Sequence, residues 1–317
     1  MRRCPVCQSS YDGQPERCPL DGAALDRGGD RTGKTIRGWL VRAMIAETAL
    51  ARVYLVERDG QEGVLKLYRR SLPLAYERAS SEARAQRRVV HPRLALLLED
   101  GLTDEGDLYL VSERLPGPTL RDLLDRSPAG LGWRAATAVA AQLAEGLEAI
   151  HGESLVHRDV KPENLILVRT APPDLRILDL GHALLLDSER LTSRGLAWGS
   201  APYMSPEQAA AQPIDARSDL YAHGVVFYEM LTGRRPFEAR AAVDVMQMHM
   251  WASPVPPVEL ADIPELVSEM CLWLLKKAPG DRPCSARVAR AALLGLVQDQ
   301  RGRSRGAGKD GEDVENG

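Results

Sequence analysis

Short apolar and polar blocks along the chain predict a protein that mixes strands and helices. The apolar runs at residues 64–65 and 165–168 are typical of strands. Residues 133–150 carry Ala and Leu at helical spacing and predict a helix, which should stop at His151-Gly152. Residues 75–89, charged on one face, predict an exposed helix. The pattern therefore indicates an α+β protein.

Composition and charge narrow the classes of function. The chain has 317 residues, of which 44% are hydrophobic and 27% charged, and its net charge is −3. No basic excess points to nucleic acid or to an anionic membrane surface. No apolar stretch follows Met1-Arg2-Arg3-Cys4, and no apolar run approaches the ~18 residues that a membrane span needs. We expect a cytoplasmic protein without a signal peptide, a membrane span or a nucleic-acid partner.

The most informative stretch is His-Arg-Asp-Val-Lys-Pro-Glu-Asn at residues 157–164. Phosphoryl transfer needs a base for the attacking hydroxyl, a counter-charge for the moving phosphoryl group and metal ligands. Asp159 can accept the hydroxyl proton, Lys161 can reach a γ-phosphate, and Asn164 can bind Mg²⁺. One loop thus carries three parts of a phosphoryl-transfer site.

Four further motifs follow this loop in a fixed order. They are Asp179-Leu180-Gly181, the run from Gly199 to Glu207, the run that begins Ser218-Asp219-Leu220-Tyr221, and Asp281-Arg282-Pro283. Together with the loop they resemble the motif series of protein kinases from about residue 36 to residue 298. The resemblance implies a bilobal protein kinase fold, with a small β-rich N-lobe and a large, mostly α-helical C-lobe.

The resemblance implies roles for these motif residues. Asp179 would be the second ligand of Mg²⁺ (or Mn²⁺), and Leu180 stands where Phe is usual. Glu207 would form a buried ion pair with Arg282, the kind of pair whose disruption typically costs about 3–5 kcal/mol.

The resemblance also implies an ATP site between the lobes. Lys66 would bind the α- and β-phosphates, with Glu82 as its ion-pair partner. The positions expected around the adenine and along the hinge are Val53, Val64, Ile166, Glu113 and Leu115.

The phosphate-covering loop departs from the family pattern. Residues 46–53 lack all three glycines of G-x-G-x-x-G, with Ala46, Thr48 and Ala51 in their places. Glycine permits a close approach of backbone to phosphate, whereas Thr48 is β-branched and stiff. Two functions therefore remain: an active kinase that phosphorylates proteins, or a pseudokinase or binding module with weakened ATP binding.

Other features of the resemblance point to the acceptor and to regulation. Lys161 in the loop and Ser200 in the activation segment favour Ser or Thr hydroxyls as acceptors. Arg158 before the catalytic Asp suggests control by activation-loop phosphorylation, because a new phosphate can pair with it. The candidate phosphate acceptors are Ser188, Thr192 and Ser193.

The N-terminal cysteines form a separate pattern. Cys4, Cys7, Cys18 and Asp21 have the spacing Cys-x2-Cys-x10-Cys-x2-Asp, which suits two facing turns around a tetrahedral Zn²⁺. The segment resembles a minimal zinc ribbon that could serve a partner protein. Two alternatives compete: a Cys4/Cys7 redox dithiol and a metal-free remnant of a ribbon.

A glycine-rich segment separates the cysteines from the kinase-like region. Residues 28–35 match the P-loop pattern G-x4-G-K-T, but no strand is predicted before them, and we interpret them as a linker. The predicted organisation is a zinc-ribbon-like module at 1–25, a linker at 26–36, a kinase domain at 37–298 (N-lobe 37–115, C-lobe 116–298) and a disordered tail at 299–317.

Overall fold

The computed structural model describes residues 2–4, 6, 10–11, 17–22, 30–48, 50–69, 73–180, 184–185 and 198–306. The chain divides into two units. The first comprises Met1–Ser80 and Leu97–Arg114, and the second comprises Ser81–Leu96 and Leu115–Gly317.

The first unit is built from antiparallel strands. They are β1 (Arg2–Arg3), β2 (Ser10–Tyr11), β3 (Thr35–Ile36), β4 (Trp39–Glu47), β5 (Ala51–Arg58), β6 (Gln61–Tyr68), β7 (Leu97–Leu102) and β8 (Leu108–Glu113). Within the described residues, β1 pairs with β2, and the other six form one sheet in the order β3-β4-β5-β6-β8-β7.

One face of this sheet is covered by a hydrophobic core. Because side chains alternate between the two faces of a strand, Tyr54 and Val56 on β5 lie on the same face as Leu65 and Leu67 on β6, and all four are buried. The fully buried Trp39 completes the packing. The residues between them in sequence are turned to the other face.

The segment before β7 groups with the second unit, which differs from the continuous N-lobe predicted at 37–115. Helix α1 (Pro73–Arg88) runs across this division. The physical reason is Arg93, whose guanidinium donates to Glu145 at 3.0 Å and to Asp174 at 2.6 Å. Leu94 joins the core of the second unit.

The second unit is mostly helical. Its helices are α2 (Leu120–Asp125), α3 (Trp133–Gly152), α4 (Pro206–Ala209), α5 (Ala216–Thr232), α6 (Ala242–Trp251), α7 (Glu265–Leu274) and α8 (Ala286–Gly306). Its short strands are β9 (Leu155–Val156), β10 (Leu165–Thr170), β11 (Pro173–Ile177) and β12 (Leu184–Leu185). Four 3-10 helices complete the described part: Pro162–Asn164, Trp198–Tyr203, Pro257–Glu259 and Pro279–Asp281.

Helix α5 is the central element of this unit. It is buried along nearly its whole length, and it packs with α3 and α7 around one core. Its C-terminus ends at Gly233, whose φ of 72° and close approach to the Pro128 carbonyl exclude a side chain. A buried helix of this kind gives neighbouring loops a rigid anchor.

Two predictions from the sequence concern the ends of the predicted kinase domain. Thr35 begins strand β3, whereas a P-loop requires a helix there, so the structure argues against a P-loop at residues 28–35. The linker predicted at 26–36 stays a prediction, and β3 begins within its last two residues. The prediction of disorder from residue 299 is wrong as far as Gly306, because α8 continues to that residue. Gln and Arg, which recur there, are good helix formers. Residues 307–317 lie outside the described residues.

No helix in the described part of the chain is both long and apolar enough to cross a bilayer.

Candidate active site

The predicted base lies in a polar cluster made by its own loop. Asp159 is only 8% exposed, and its Oδ2 accepts a hydrogen bond from Lys161 Nζ at 2.7 Å and one from Asn164 Nδ2 at 3.1 Å. The 3-10 helix Pro162–Asn164 turns the chain back, so that Asn164 also donates to the Asp159 carbonyl at 2.8 Å. The structure therefore brings the predicted base, cation and metal ligand together.

His157 connects this cluster to the next motif. Its Nδ1 accepts from the Asp159 amide, and its Nε2 lies 3.3 Å from the Leu178 carbonyl oxygen. Because a carbonyl only accepts, the ring proton is on Nε2. The Leu178 amide in turn donates to the Asn164 carbonyl at 2.8 Å. Asp179, the next residue, is thus tied to the loop that carries the base.

Asp219 on α5 holds the start of the loop. Its carboxylate accepts from the amides of His157 and Arg158, both at 2.8 Å, and lies 2.8 Å from Nε2 of His151. Burial alone would raise the pKa of Asp219, but the hydrogen bond and charge of His151 and the contacts of the loop lower it. The carboxylate is charged at neutral pH, and it fixes the loop backbone. Helix α5, which begins within the fourth motif of the series, therefore anchors the loop, together with His151, which the sequence indicated only as a helix stop.

Two residues of the site have left-handed backbone conformations. Arg158 has φ of 69° and Asp179 has φ of 58°, in a region where residues other than glycine are uncommon. Such conformations persist when surrounding contacts fix them, and they cluster at functional sites. Here the Asp219 carboxylate fixes Arg158.

Arg158 has an unusual environment for a guanidinium group. Its Nε is buried and makes no hydrogen bond within the described residues. Burial lowers the pKa of Arg158, partly offset by the charge of Asp219. A half-buried cation with one buried nitrogen outside any hydrogen bond among the described residues has the capacity to bind an anion.

Asn164 and Asp179 have the chemistry of a Mg²⁺ site. The amide nitrogen of Asn164 is engaged by Asp159, which turns the amide oxygen away from it. An amide oxygen and a carboxylate are the ligand types that Mg²⁺ prefers. The donor set fits the metal that the sequence predicts.

Three of the predicted nucleotide-binding residues of the first unit, Val53, Val64 and Lys66, share one face of the sheet. Val53 on β5 pairs directly with Lys66 on β6, and Val64 lies two positions before Lys66. All three are half-buried on the face opposite to the core. Glu113, at the end of β8, pairs with Gly63.

The turn that lacks the family's glycines is closed by the side chain of Thr48. Thr48 Oγ1 donates to the Ala51 carbonyl at 3.0 Å, and the Ala51 amide donates back to Oγ1 at 3.0 Å. Among the described residues 46–48 and 50–53, none has a positive φ. The conformational freedom of glycine is therefore not needed at these positions. The stiffness expected of Thr48 is no obstacle here.

The remaining predicted ATP-site residues lie in the second unit. Glu82 is buried on α1, where its Oε1 accepts a hydrogen bond from Nε2 of Gln86, a buried neighbour one turn along the helix, at 3.3 Å. Ile166 is half-buried on β10, and Leu115 begins the main segment of this unit. The ion pair between Glu82 and Lys66 joins residues of different units and stays a prediction.

The predicted buried ion pair is present. Arg282 donates to the two carboxylate oxygens of Glu207 at 2.7 and 2.8 Å, and Ser218 Oγ adds a third hydrogen bond at 2.6 Å. Burial raises the pKa of Glu207, but the hydrogen bonds and charge of Arg282 outweigh it and hold this pKa below its usual range. Arg282 and Glu207 are 3% and 5% exposed.

Arg121 on α2 was not identified from the sequence. It pairs with Glu163 of the catalytic loop at 3.1 Å and with Glu229 of α5 at 3.0 Å, and it contacts the hydroxyl of Tyr203. Besides the i,i+4 contact with Asp125, these two carboxylate partners lie 42 and 108 residues away, so no local spacing reveals them.

The predicted regulatory hydroxyls are not described. Ser188, Thr192 and Ser193 lie outside the described residues. Ser200 lies in the 3-10 helix Trp198–Tyr203, and the description there covers its backbone and not its side chain.

A second candidate site lies at the N-terminus. The ligand atoms of Cys4, Cys18 and Asp21 all lie within 4.8 Å of one another, and Cys4 Sγ is 3.1 Å from an Asp21 oxygen. The amides of Val6 and Leu20 donate to the sulfurs of Cys4 and Cys18, each at 3.4 Å. Thiols and a carboxylate at this spacing fit a tetrahedral metal site. Cys7, the fourth predicted ligand, lies outside the described residues.

Comparison with known proteins agrees with this geometry. A family model described as the protein kinase domain matches residues 47–293. The chain is 35% identical over 286 residues to serine/threonine-protein kinase pkn3 of Myxococcus xanthus, covering 85% of this chain and 52% of that protein. It is 32% identical over 260 residues to serine/threonine-protein kinase PknB of Mycolicibacterium smegmatis, covering 81% and 41%. The chain thus spans about half the length of these curated relatives, or less.

Solved structures share the fold. The kinase domain of PknI from Mycobacterium tuberculosis superposes with a TM-score of 0.64 at 24% identity, covering 84% of this chain and 99% of that domain. The sheet of the first unit and the helices of the second are those of the kinase N-lobe and C-lobe. The chain belongs to the protein kinase family.

Proposed function

We propose that this protein is an ATP-dependent protein serine/threonine kinase. The observation that carries the proposal is the cluster around Asp159, in which Lys161 and Asn164 converge on one carboxylate oxygen. In this proposal Asp159 orients the acceptor hydroxyl and takes its proton, and Lys161 offsets charge on the transferred phosphoryl group.

The nucleotide and metal roles follow from the same proposal. Asn164 and Asp179 would hold Mg²⁺ or Mn²⁺, which supplies charge neutralisation at the phosphate oxygens. Lys66, fixed by Glu82, would bind the α- and β-phosphates. The residues proposed to contact the adenine or line the hinge are Val53, Val64, Ile166, Glu113 and Leu115.

The choice of Ser or Thr as acceptor has two supports. Lys161 stands in the catalytic loop, and the curated relatives are named serine/threonine-protein kinases. Ser200 is proposed to tie the activation segment to Asp159. The substrates are proposed to be proteins.

Phosphorylation is the proposed control. The half-buried Arg158, whose buried Nε makes no hydrogen bond within the described residues, supports a phosphate-binding role. The proposed acceptors are Ser188, Thr192 and Ser193.

The deciding experiment is Mg²⁺-dependent transfer of labelled γ-phosphate to the protein itself and to a generic basic protein, with Asp179→Asn as the control. An active kinase transfers phosphate, and the variant loses this activity while keeping its fold. A well-folded wild-type protein that neither transfers phosphate nor binds ATP would instead be a pseudokinase.

For the N-terminal segment, we propose a zinc ribbon held by Cys4, Cys7, Cys18 and Asp21. The support is the proximity of the three described ligands and the backbone amides that donate to two of the sulfurs. Val6 and Leu20, 68% and 73% exposed beside the ligands, offer an apolar surface for a partner protein.

Metal content tests the ribbon. The full chain, purified under reducing conditions, is expected to hold one zinc ion, and Cys18→Ser is expected to lose it. A Cys4–Cys7 disulfide found by mass spectrometry in zinc-free wild-type protein would favour the redox alternative. Zinc-free wild-type protein with reduced thiols would favour the metal-free remnant.

The proposed organisation keeps the ribbon at residues 1–25, a linker at 26–36 and the kinase domain at 37–298. The tail is the stretch beyond α8.

A further inference from the structure

A buried histidine connects helix α6 to the segment that follows the activation loop. His249 is fully buried, with Nε2 3.0 Å from the Pro202 carbonyl oxygen and Nδ1 2.9 Å from the Tyr221 hydroxyl. Pro202 lies in the 3-10 helix Trp198–Tyr203. The imidazole therefore bridges two elements that are far apart in the sequence.

The partners of the ring assign the direction of both hydrogen bonds. A carbonyl oxygen only accepts, so His249 Nε2 carries a proton and donates to Pro202. Burial, reinforced by the nearby charge of Lys277, lowers the pKa of His249 to about 4. The ring is neutral at physiological pH, so Nδ1 accepts, and the Tyr221 hydroxyl is the donor.

The histidine itself is held in place from three sides. Lys277 Nζ donates to the carbonyls of His249 at 2.7 Å and Met248 at 3.2 Å, which ties down the end of α6. The rings of Phe237 and Tyr221 pack edge-on against the imidazole, with centroids 5.1 and 5.6 Å away. His249 is therefore a rigid donor rather than a mobile one.

The segment that His249 contacts borders the catalytic loop at two points. Gln208 donates to the Arg158 carbonyl at 3.0 Å, next to the base. Arg121 contacts both the Tyr203 hydroxyl and Glu163, and Glu163 belongs to the catalytic loop. Residues 203–208 therefore border the loop that carries the base.

Pro202 gives this segment a particular dependence on the histidine. Proline has no amide hydrogen, so its carbonyl is its only backbone group for hydrogen bonding. Leaving that half-buried carbonyl without a donor is unfavourable, and the backbone would shift to find another one.

We propose that His249 is a positioning residue for protein-substrate binding: by donating to Pro202 it sets the wall of the acceptor cleft beside Asp159. This inference rests on the proposed kinase function. It predicts an effect on the KM of the protein substrate that is separate from the KM of ATP.

The test compares His249→Leu, which removes both hydrogen bonds, with His249→Gln, whose amide can donate to Pro202 and accept from Tyr221. For His249→Leu we expect the KM of the protein substrate to rise roughly tenfold, the equivalent of one lost hydrogen bond. The KM of ATP is expected to stay within about twofold, and His249→Gln to recover most of the loss. Equal increases in both KM values, or no recovery with Gln, would overturn the proposal.

His223→Leu is the matched control. His223 is also a fully buried histidine of the second unit, but neither ring nitrogen meets strict hydrogen-bond geometry among the described residues, and its backbone contact is Ala140 of α3 rather than the segment at 198–206. Its replacement is expected to leave the KM of the protein substrate unchanged. A rise equal to that of His249→Leu would show a general packing effect and would refute the specific role.

Hydrogen exchange separates failure of this inference from failure of the proposed function. His249→Leu is expected to speed exchange in the peptide spanning residues 199–206, whether or not the protein transfers phosphate. Faster exchange in a chain without transfer would refute the kinase proposal alone. Unchanged exchange and unchanged KM in an active kinase would refute the role of His249.

Discussion

The catalytic loop and the turn between β4 and β5 keep their shapes by different means. The loop is held by side chains. Asp159 accepts hydrogen bonds from Lys161 and Asn164, and Asp219 on α5 accepts hydrogen bonds from the loop backbone. The turn is held mainly by the backbone hydrogen bonds between strands, and the hydroxyl of Thr48 adds hydrogen bonds at its end. Substitutions are therefore expected to have large effects in the loop and smaller effects in the turn.

This difference explains why the missing glycines are only weak evidence for a loss of ATP binding. A glycine motif matters where the backbone needs a positive φ or a close approach. The described residues of the turn need no positive φ. A changed charge in the loop, in contrast, would leave a buried partner without its counterpart.

The largest effect is expected at the catalytic base. Asp159→Asn keeps the shape of the side chain and removes its basicity, so phosphate transfer should fall by about 10²- to 10⁴-fold. The measurement is kcat with a protein substrate, with circular dichroism as a check of folding. An activity within tenfold of wild type would mean that Asp159 is not the base.

The second largest effect concerns stability. Glu207→Gln leaves Arg282 buried without its charge partner, and should lower the free energy of unfolding by about 3–5 kcal/mol. Denaturant unfolding measures it. The matched control is Glu62→Gln, which removes an exposed pair with Arg114 and should cost about 0–1 kcal/mol. Similar losses in the two variants would contradict the importance of burial.

The same pair predicts a dependence on pH. The pKa of Glu207 is lowered in the folded protein, so its contribution is present above its ordinary value of 4.5 and is lost as pH falls through the folded pKa. Acid should therefore destabilise the wild type more than Glu207→Gln. The measurement is the free energy of unfolding at about pH 6 and about pH 3, which bracket the titration of carboxyl groups. If the wild type and Glu207→Gln lose equal amounts between these two values, Glu207 does not cause the dependence on pH.

A smaller effect is expected in the turn. Thr48→Val preserves the shape and removes both side-chain hydrogen bonds to Ala51, while the one from the Thr48 amide stays, so it should cost about 0.5–1.5 kcal/mol and raise the KM of ATP a few-fold. Thr48→Ser retains the hydroxyl and serves as the control. If Val and Ser variants bind ATP equally well, the hydroxyl does not close the turn in solution.

The smallest effect is expected from restoring a glycine. Ala46→Gly, at the first position of the motif, should cost about 0.5–1 kcal/mol through added freedom of the unfolded chain. The KM of ATP should not change. A marked fall in this KM would show that the missing glycines do limit nucleotide binding.

The loop and the motif order are predictable from the sequence because their residues are contiguous or follow one another at short spacing. The Glu207–Arg282 pair was predicted as well, and the structure confirms it. The roles of His151, Arg121 and His249 were not predicted, since each of these residues acts through partners on other elements. The continuation of α8 to Gly306 was missed for a local reason, because glycines and mixed charge outweighed the helix propensity of Arg and Gln.

The sequence by itself determined which chemical groups the protein carries and which of them are neighbours along the backbone. Asp159, Lys161 and Asn164 meet because one loop and one 3-10 turn span them, and such local geometry follows from the chain. Only the tertiary structure decided which distant groups meet. Asp219 reaches His157 across 62 residues and Arg282 reaches Glu207 across 75, because the packing of buried helices, rather than any local spacing, sets those distances.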